Sequence, residues 1–208
     1  MSDNLRIVLF GPAAAGKSSL IGALVQAGQE HPAQLVGKLH DVVGGLTELS
    51  KQTYEEGPAL PLDKPLTQAL LDADALILVI DASAAFDHSV KLMGQFLRLL
   101  QTTRGERADI GGLPVHLVLS KCDQIAKPGD THNKWLQRIE EAKRQLGDRF
   151  QEMLKDQAVL PFGRVKLHVS AAAVKRPVLS DRAAKPEPFG VAELFRDSLT
   201  SARVHQQQ

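Results

Sequence analysis

The sequence predicts an α/β fold in which a mostly parallel sheet lies between two layers of helices. Three observations lead there. Short apolar or β-branched runs recur at residues 6–10, 75–81, 114–120 and 165–170. The stretches between them carry apolar residues at helical spacing. The first run passes directly into Gly11-Pro12-Ala13-Ala14-Ala15-Gly16-Lys17-Ser18, a complete G-x-x-x-x-G-K-[ST] pattern, and then into a helix. Strands that are apolar throughout are buried on both faces, which requires helices above and below the sheet.

The elements follow in order. Arg6-Ile7-Val8-Leu9-Phe10 reads as a buried strand, and Ser19 to Val25 as the helix after the glycine loop. Residues 31–72 are polar, rich in glycine and proline after Gly44, and lack a clear strand; Leu46 to Glu56 has the spacing of a short amphipathic helix. Ala75 to Asp81 is the second strand, and His88 to Thr103 is a helix with apolar positions at 90, 92, 93, 96, 97, 99 and 100. Pro114 to Ser120 is the third strand. Lys134 to Gln157 is a long helix whose apolar stripe includes Trp135, Ile139, Leu146 and Phe150. Val165 to Ser170 alternates in polarity as a fourth strand, and Val191 to Ala202 is the last helix, before a flexible tail at 203–208. Pro177 to Pro188 reads as a charged loop.

Composition narrows the class. At 208 residues the chain fits one α/β domain with one sizeable core. Twenty-five basic and twenty-four acidic residues give a net charge of +1, so nothing steers the protein towards nucleic acid or an anionic membrane. The longest apolar run, Ala75 to Ile80, is too short to span a bilayer, and the first residues show no signal-peptide pattern. Cys122 is the only cysteine, and the seven histidines lack metal-ligand spacing. A cytoplasmic location is expected.

The glycine loop carries the first chemistry. Backbone N–H groups of Gly11 to Ser19, with the positive end of the following helix, are suited to surround a β-phosphate. Lys17 adds a point charge on the β- and γ-phosphates, the catalytic cation of this reading, and the Ser18 hydroxyl can ligate Mg2+. This context makes the chain a nucleoside-phosphate binder with a P-loop NTPase fold.

The ends of the third and fourth strands carry the second. Ser120-Lys121-Cys122-Asp123 follows one and Ser170-Ala171-Ala172 the other. A carboxylate can accept two hydrogen bonds from guanine N1–H and its 2-amino group, a donor pair that adenine lacks, while a lysine stem can lie against the base. This constellation resembles the base-recognition motifs of P-loop GTPases of the translation-factor and Ras-like (TRAFAC) class. The resemblance spans residues 5–28 and 73–202 and has the look of bacterial GTPase-like modules. It implies that Asp123 reads the base, Lys121 packs on it and braces the phosphate loop, and Ala171 presents a donor to guanine O6. It also implies GTP or GDP with Mg2+, and a protein effector or activator. The class usually has Asn or Thr where this chain has Ser120, whose hydroxyl can still bond to the loop, more weakly. Cys122 is expected to be a small filler, because nothing basic beside it would activate the thiol.

The switch elements of that class are harder to place. Its Asp-x-x-Gly has one literal match between Gly28 and Ala75, Asp41-Val42-Val43-Gly44, with no strand before it. Thr47 and Thr53 are both candidates for a switch threonine, and no glutamine follows Asp41-x-x-Gly44 to orient a water. The expectation is therefore a shortened sheet edge and a reduced, mobile or rebuilt switch segment at 31–72. Asp81 ends an apolar strand. In an ATPase such a carboxylate supports Mg2+; in the resembling GTPase strand, with its Val-Ile-Asp-Ala-Ser ending, it is structural. Three functions stay open: a GTP/GDP switch with slow or partner-dependent hydrolysis, a nucleotide-binding scaffold without turnover, and an ATPase or kinase using Asp81, with Arg176 and Arg182 in a plausible lid loop.

Overall fold

The computed structural model describes residues 5–12, 14–30, 64–104, 113–156, 166–181 and 188–207. Among these residues four strands form one sheet: β1 (Ile7–Phe10), β2 (Ala75–Asp81), β3 (Pro114–Ser120) and β4 (Lys166–Ala171). They pair in consecutive order, and every pair is parallel. The helices are α1 (Lys17–Glu30), α2 (Lys64–Leu71), α3 (Phe86–Arg104), α4 (His132–Asp156) and α5 (Val191–Gln206).

The alternation of side chains along each strand sorts two cores. Ile7, Leu9, Ala75, Ile77 and Val79 face one side, where α1 brings Leu20 and Leu24 and α5 brings Leu194, Phe195 and Leu199. Val8, Phe10, Leu76, Leu78, Leu117 and Leu119 face the other, against Phe96 and Leu100 of α3 and Ile139 and Phe150 of α4. The result is the expected three-layer α/β/α arrangement. Each fully buried Leu, Ile or Phe contributes about 1.5–3 kcal/mol through loss of water-exposed apolar surface, which is why β2 and β3 are apolar almost without interruption.

Boundaries differ from the sequence reading in instructive ways. Residues 64–71 form a helix inside the stretch read as the switch segment, and Arg104 shows what fixes its end. This buried side chain donates from Nε to Leu70 O at 2.7 Å and from Nη2 to Leu71 O at 2.8 Å and Ala73 O at 2.7 Å. An arginine from α3 therefore caps the C-terminal carbonyls of α2, a contact with no local sequence signal. Helix α4 starts two residues earlier than its apolar periodicity indicates, because Asp181, far along the chain, accepts the His132 N–H at 2.9 and 3.0 Å. Helix α5 continues to Gln206, through residues read as tail. The segment 31–63, with Asp41, Gly44, Thr47, Thr53 and the helix proposed at 46–56, lies outside the described residues, as does Arg182.

A polar pair interrupts the sheet. His116, in the middle of β3, is 0% exposed, and its Nε2 lies 2.9 Å from Ser201 Oγ on α5. Its ring stacks on His168 of β4 with centroids 4.6 Å apart. Burial, followed by repulsion from His168, pushes the His116 pKa from the ordinary 6.5 down to about 3. Between these values the unfolded chain binds a proton that the native state refuses, so stability falls with pH by about 1.4 kcal/mol per unit from this group. Urea titrations between pH 7 and pH 4 should therefore show a steeper acid loss for the natural chain than for His116→Leu, with the two curves running parallel above pH 7.

Candidate functional site

Parallel pairing in register puts the carboxyl ends of β1 to β4 on one edge of the sheet, with Asp81 opposite Ser120 and Leu119 opposite Ala171. Ligands of open parallel sheets sit at this edge. All three sequence motifs meet there.

The glycine loop leaves β1 where backbone packing is tight. A Cβ on Gly11 would lie 2.6 Å from Val79 O of the adjacent strand, so any larger residue would push β1 and β2 apart. Ala14 and Gly16 take positive φ values of 61° and 87°, which turn the chain into the first turn of α1. Ala15 is buried in the core beneath the loop, and its N–H donates to Pro12 O at 3.3 Å. Ala13 lies outside the described residues. Lys17 is 3% exposed, and its Nζ donates to Gly11 O at 3.0 Å and Pro12 O at 2.7 Å. The ammonium is thus folded into the mouth of its own loop. Ser18 and Ser19, exposed in the first turn of α1, present hydroxyls and backbone N–H groups at the positive helix end.

The third-strand motif braces that loop. Ser120 Oγ donates to Ala15 O at 2.5 Å, with Ile80 O at 3.1 Å, so the serine in place of the usual Asn or Thr makes the loop bond expected of it. Lys121 adopts the left-handed conformation (φ 55°, ψ 34°). Its stem runs along Gly16, with Cγ and Cε 3.7 Å from where a Gly16 Cβ would stand. Its Nζ donates to Asp81 Oδ2 at 2.6 Å. Ser83 holds the same carboxylate through its N–H at 2.9 Å and its hydroxyl at 2.6 Å. Burial pushes the Asp81 carboxyl up, but the bonds from Lys121 and Ser83 outweigh it and hold the group below the usual carboxylate range. Asp81 is therefore engaged as a partner of Lys121.

Asp123 sits in a short 3-10 turn, Cys122–Ile125, that is pinned at Cys122 from several sides. Cys122 N–H donates to Ala172 O at 3.3 Å, Trp135 Nε1–H donates to Cys122 O at 2.7 Å, and the thiol lies 3.2 Å from Leu119 O. Burial pushes the thiol pKa up to about 12, so it is an inert filler. Ala172 N–H donates to Leu119 O at 2.7 Å, which commits both main-chain groups of Ala172 to bracing the two loops. Ala171 closes β4, and Gly190 packs on it so closely that a Cβ would fall 2.0 Å from Ala171 O. Ser170 is half-buried on β4, and Arg176 is exposed in the loop beyond. Sequence reasoning missed Ser83, Gly190 and the Trp135 anchor. Only Gly190 carried a signal, a glycine directly before a helix.

Comparison with known proteins is consistent with this geometry. No family model matches the chain, and no curated protein matches it. Among solved structures it resembles a point variant of SsGBP at 15% identity and a TM-score of 0.59, covering 100% of this chain and 59% of that one. It resembles Toc33 from Arabidopsis thaliana, in complex with GDP and Mg2+, at 16% identity and 0.53, covering 96% and 84%. It also resembles the small COPII coat GTPase Sar1 from Encephalitozoon cuniculi, in complex with GDP, at 11% identity and 0.50, covering 98% and 82%. The chain spans 59% of the SsGBP chain's length. These likenesses show that the chain has the fold of P-loop GTP-binding proteins.

The loop brace has a measurable weight. Ser120→Ala leaves the buried Ala15 carbonyl without its side-chain donor, a loss of about 1–3 kcal/mol. Urea unfolding should show that loss in Ser120→Ala, and Ser120→Thr, which keeps a hydroxyl, should recover most of it.

Proposed function

We propose that this chain binds GTP and GDP and acts as a guanine-nucleotide switch with slow or partner-dependent hydrolysis. The observation that carries the reading is the brace itself. Ser120 and Lys121, from the base motif, rest on Ala15 and Gly16 of the phosphate loop, so phosphate and base recognition are one connected unit. Gly11 to Gly16 would wrap the phosphates, Lys17 would move from its own loop carbonyls onto phosphate oxygens, and Ser18 would hold Mg2+. Lys121 would support the base, Asp123 would accept from the guanine N1–H and 2-amino group, and Ala171, at the end of β4 between Ser170 and Ala172, would present the donor to O6.

The donor set suits Mg2+, which in nucleotide sites takes one or two protein oxygens and fills its other positions with water and phosphate. Among the described residues no group of three or more His, Cys, Asp or Glu forms an all-protein metal cage. Bound there, Mg2+ would neutralise charge on the β- and γ-phosphate oxygens. Asp81, tied to Lys121 and Ser83, is poorly placed for an ATPase carboxylate. Among the described residues no helix is long and apolar enough to cross a membrane. A protein effector or activator and a cytoplasmic location belong to this proposal.

Calorimetry with GDP tests the reading. Lys17→Ala should lose about 2–5 kcal/mol of binding, the scale for removing one partner of a desolvated charge pair. Asp123→Asn should shift preference from guanine towards xanthine nucleotides, because the amide meets guanine's donors with one of its own. Equal GDP affinity in Lys17→Ala, or a natural preference for ATP, would sink the assignment.

Turnover forms a separate expectation. Ras-type enzymes that possess a water-orienting glutamine, but lack an arginine finger, hydrolyse GTP at only about 10⁻⁴ s⁻¹. This chain shows no such glutamine after Asp41-x-x-Gly44. Single-turnover assays on the purified protein should give a rate no faster than that scale. A rate above about one per minute would show a catalytic group in 31–63 that the motifs do not reveal.

A further inference from the structure

Beside the nucleotide edge lies a groove of about 840 Å³, walled by the turn after β2, the end of the 3-10 turn and the first half of α4. Its floor is apolar: Ala82, Ile125, Ala126 and Ala142 are half-buried, with their other sides packed on the α3–α4 core. Its rim carries the ammonium groups of Lys127 and Lys134; Arg138, also on the rim, is held by the Asp130 carboxylate at 2.8 Å, which leaves the two lysines to set the charge of the groove. The rim carboxylate, Glu141, is already held by Arg144 at 2.7 Å and Gln145 at 2.6 Å, so it offsets little of that charge.

We propose that this groove docks an acidic, apolar-tipped peptide segment of a partner protein, and that docking speeds nucleotide release. Charge complementarity selects the occupant: carboxylates meet the lysines of the rim while apolar side chains cover the alanine and isoleucine floor. The link to the nucleotide is Ser83. This exposed residue lines the groove and supplies two of the hydrogen bonds on Asp81, whose third comes from Lys121. A peptide carboxylate that takes the Ser83 donors, and repels Asp81, loosens the hold on Lys121 over Gly16. The far wall acts on the same unit, because Ile125 and Ala126 continue the turn that carries Asp123. The docking stands on the groove; the effect on release rests on the guanine-nucleotide reading above.

The test uses the full chain and a short fluorescein-labelled peptide of glutamate interspersed with leucine. Anisotropy should show saturable binding that is lost in Lys127→Glu/Lys134→Glu and absent for a lysine–leucine counterpart. Release of labelled GDP should quicken by about fivefold or more when the acidic peptide is added, the lower end of typical coupling between sites. Ser83→Ala, which lacks the hydroxyl that helps hold Asp81, should release GDP faster than the natural chain without peptide, still bind the peptide, and gain little further acceleration from it; the charge-reversed double variant should release GDP at the natural rate with or without peptide. Binding that survives charge reversal, or no binding, overturns the docking site. Binding without any change in GDP release overturns the coupling. A dimer of the natural chain that dissociates on charge reversal would make a second copy the occupant and overturn the partner peptide. Failure of the guanine reading shows separately, as no uptake of labelled GDP before peptide is added.

Discussion

Parallel pairing of four strands in consecutive order is the constraint on which the rest depends. Because all four run the same way, their carboxyl ends open on one edge, and the loops after Phe10, Asp81, Ser120 and Ala171 must share that edge. Side chains far apart in sequence become neighbours there with little further adjustment. Asp81 and Ser120 are register partners, so Lys121, one residue on, reaches the Asp81 carboxylate at 2.6 Å. A slip of one residue between β2 and β3 would send Asp81 or Ser120 to the opposite face and dismantle the brace.

That register is set by burial. Two apolar faces on every central strand leave each strand one favourable height and one favourable rotation against α1 and α5 on one side, α3 and α4 on the other. The site therefore inherits its precision from the core. Polar side chains that enter this interior reach partners on other elements: His116 Nε2 lies 2.9 Å from Ser201 Oγ, and Arg104 donates to three carbonyls at the end of α2. Arg104 thereby ties the end of α2 to α3.

The glycine loop and the Ser120-Lys121-Cys122-Asp123 turn are mechanically one object. Ser120 supports Ala15 from below, Lys121 lies along Gly16, and Asp81 with Ser83 holds the lysine. The Cys122–Trp135 and Cys122–Ala172 bonds then fix the turn bearing Asp123 to α4 and to the end of β4. In a nucleotide-binding protein such coupling makes the affinities for base and phosphate interdependent, because displacement of either loop is felt by the other.

The sequence by itself determined the fold class, the four strands to within a residue, and the glycine loop between the first strand and its helix. These signals are local: a strand's apolar run, a helix's periodicity, and glycines required by a tight turn are all written in adjacent residues. Cys122 as a filler and Ser120 as a loop ligand were legible for the same reason, since each follows from its immediate neighbours in a named motif. Tertiary structure alone decided the rest. That Asp81 serves Lys121, that Arg104 ends α2 and that Asp181 starts α4 are contacts between residues 34 to 49 positions apart, across separate elements. Their partners are fixed by strand register and helix docking, and neither exists until the core has closed.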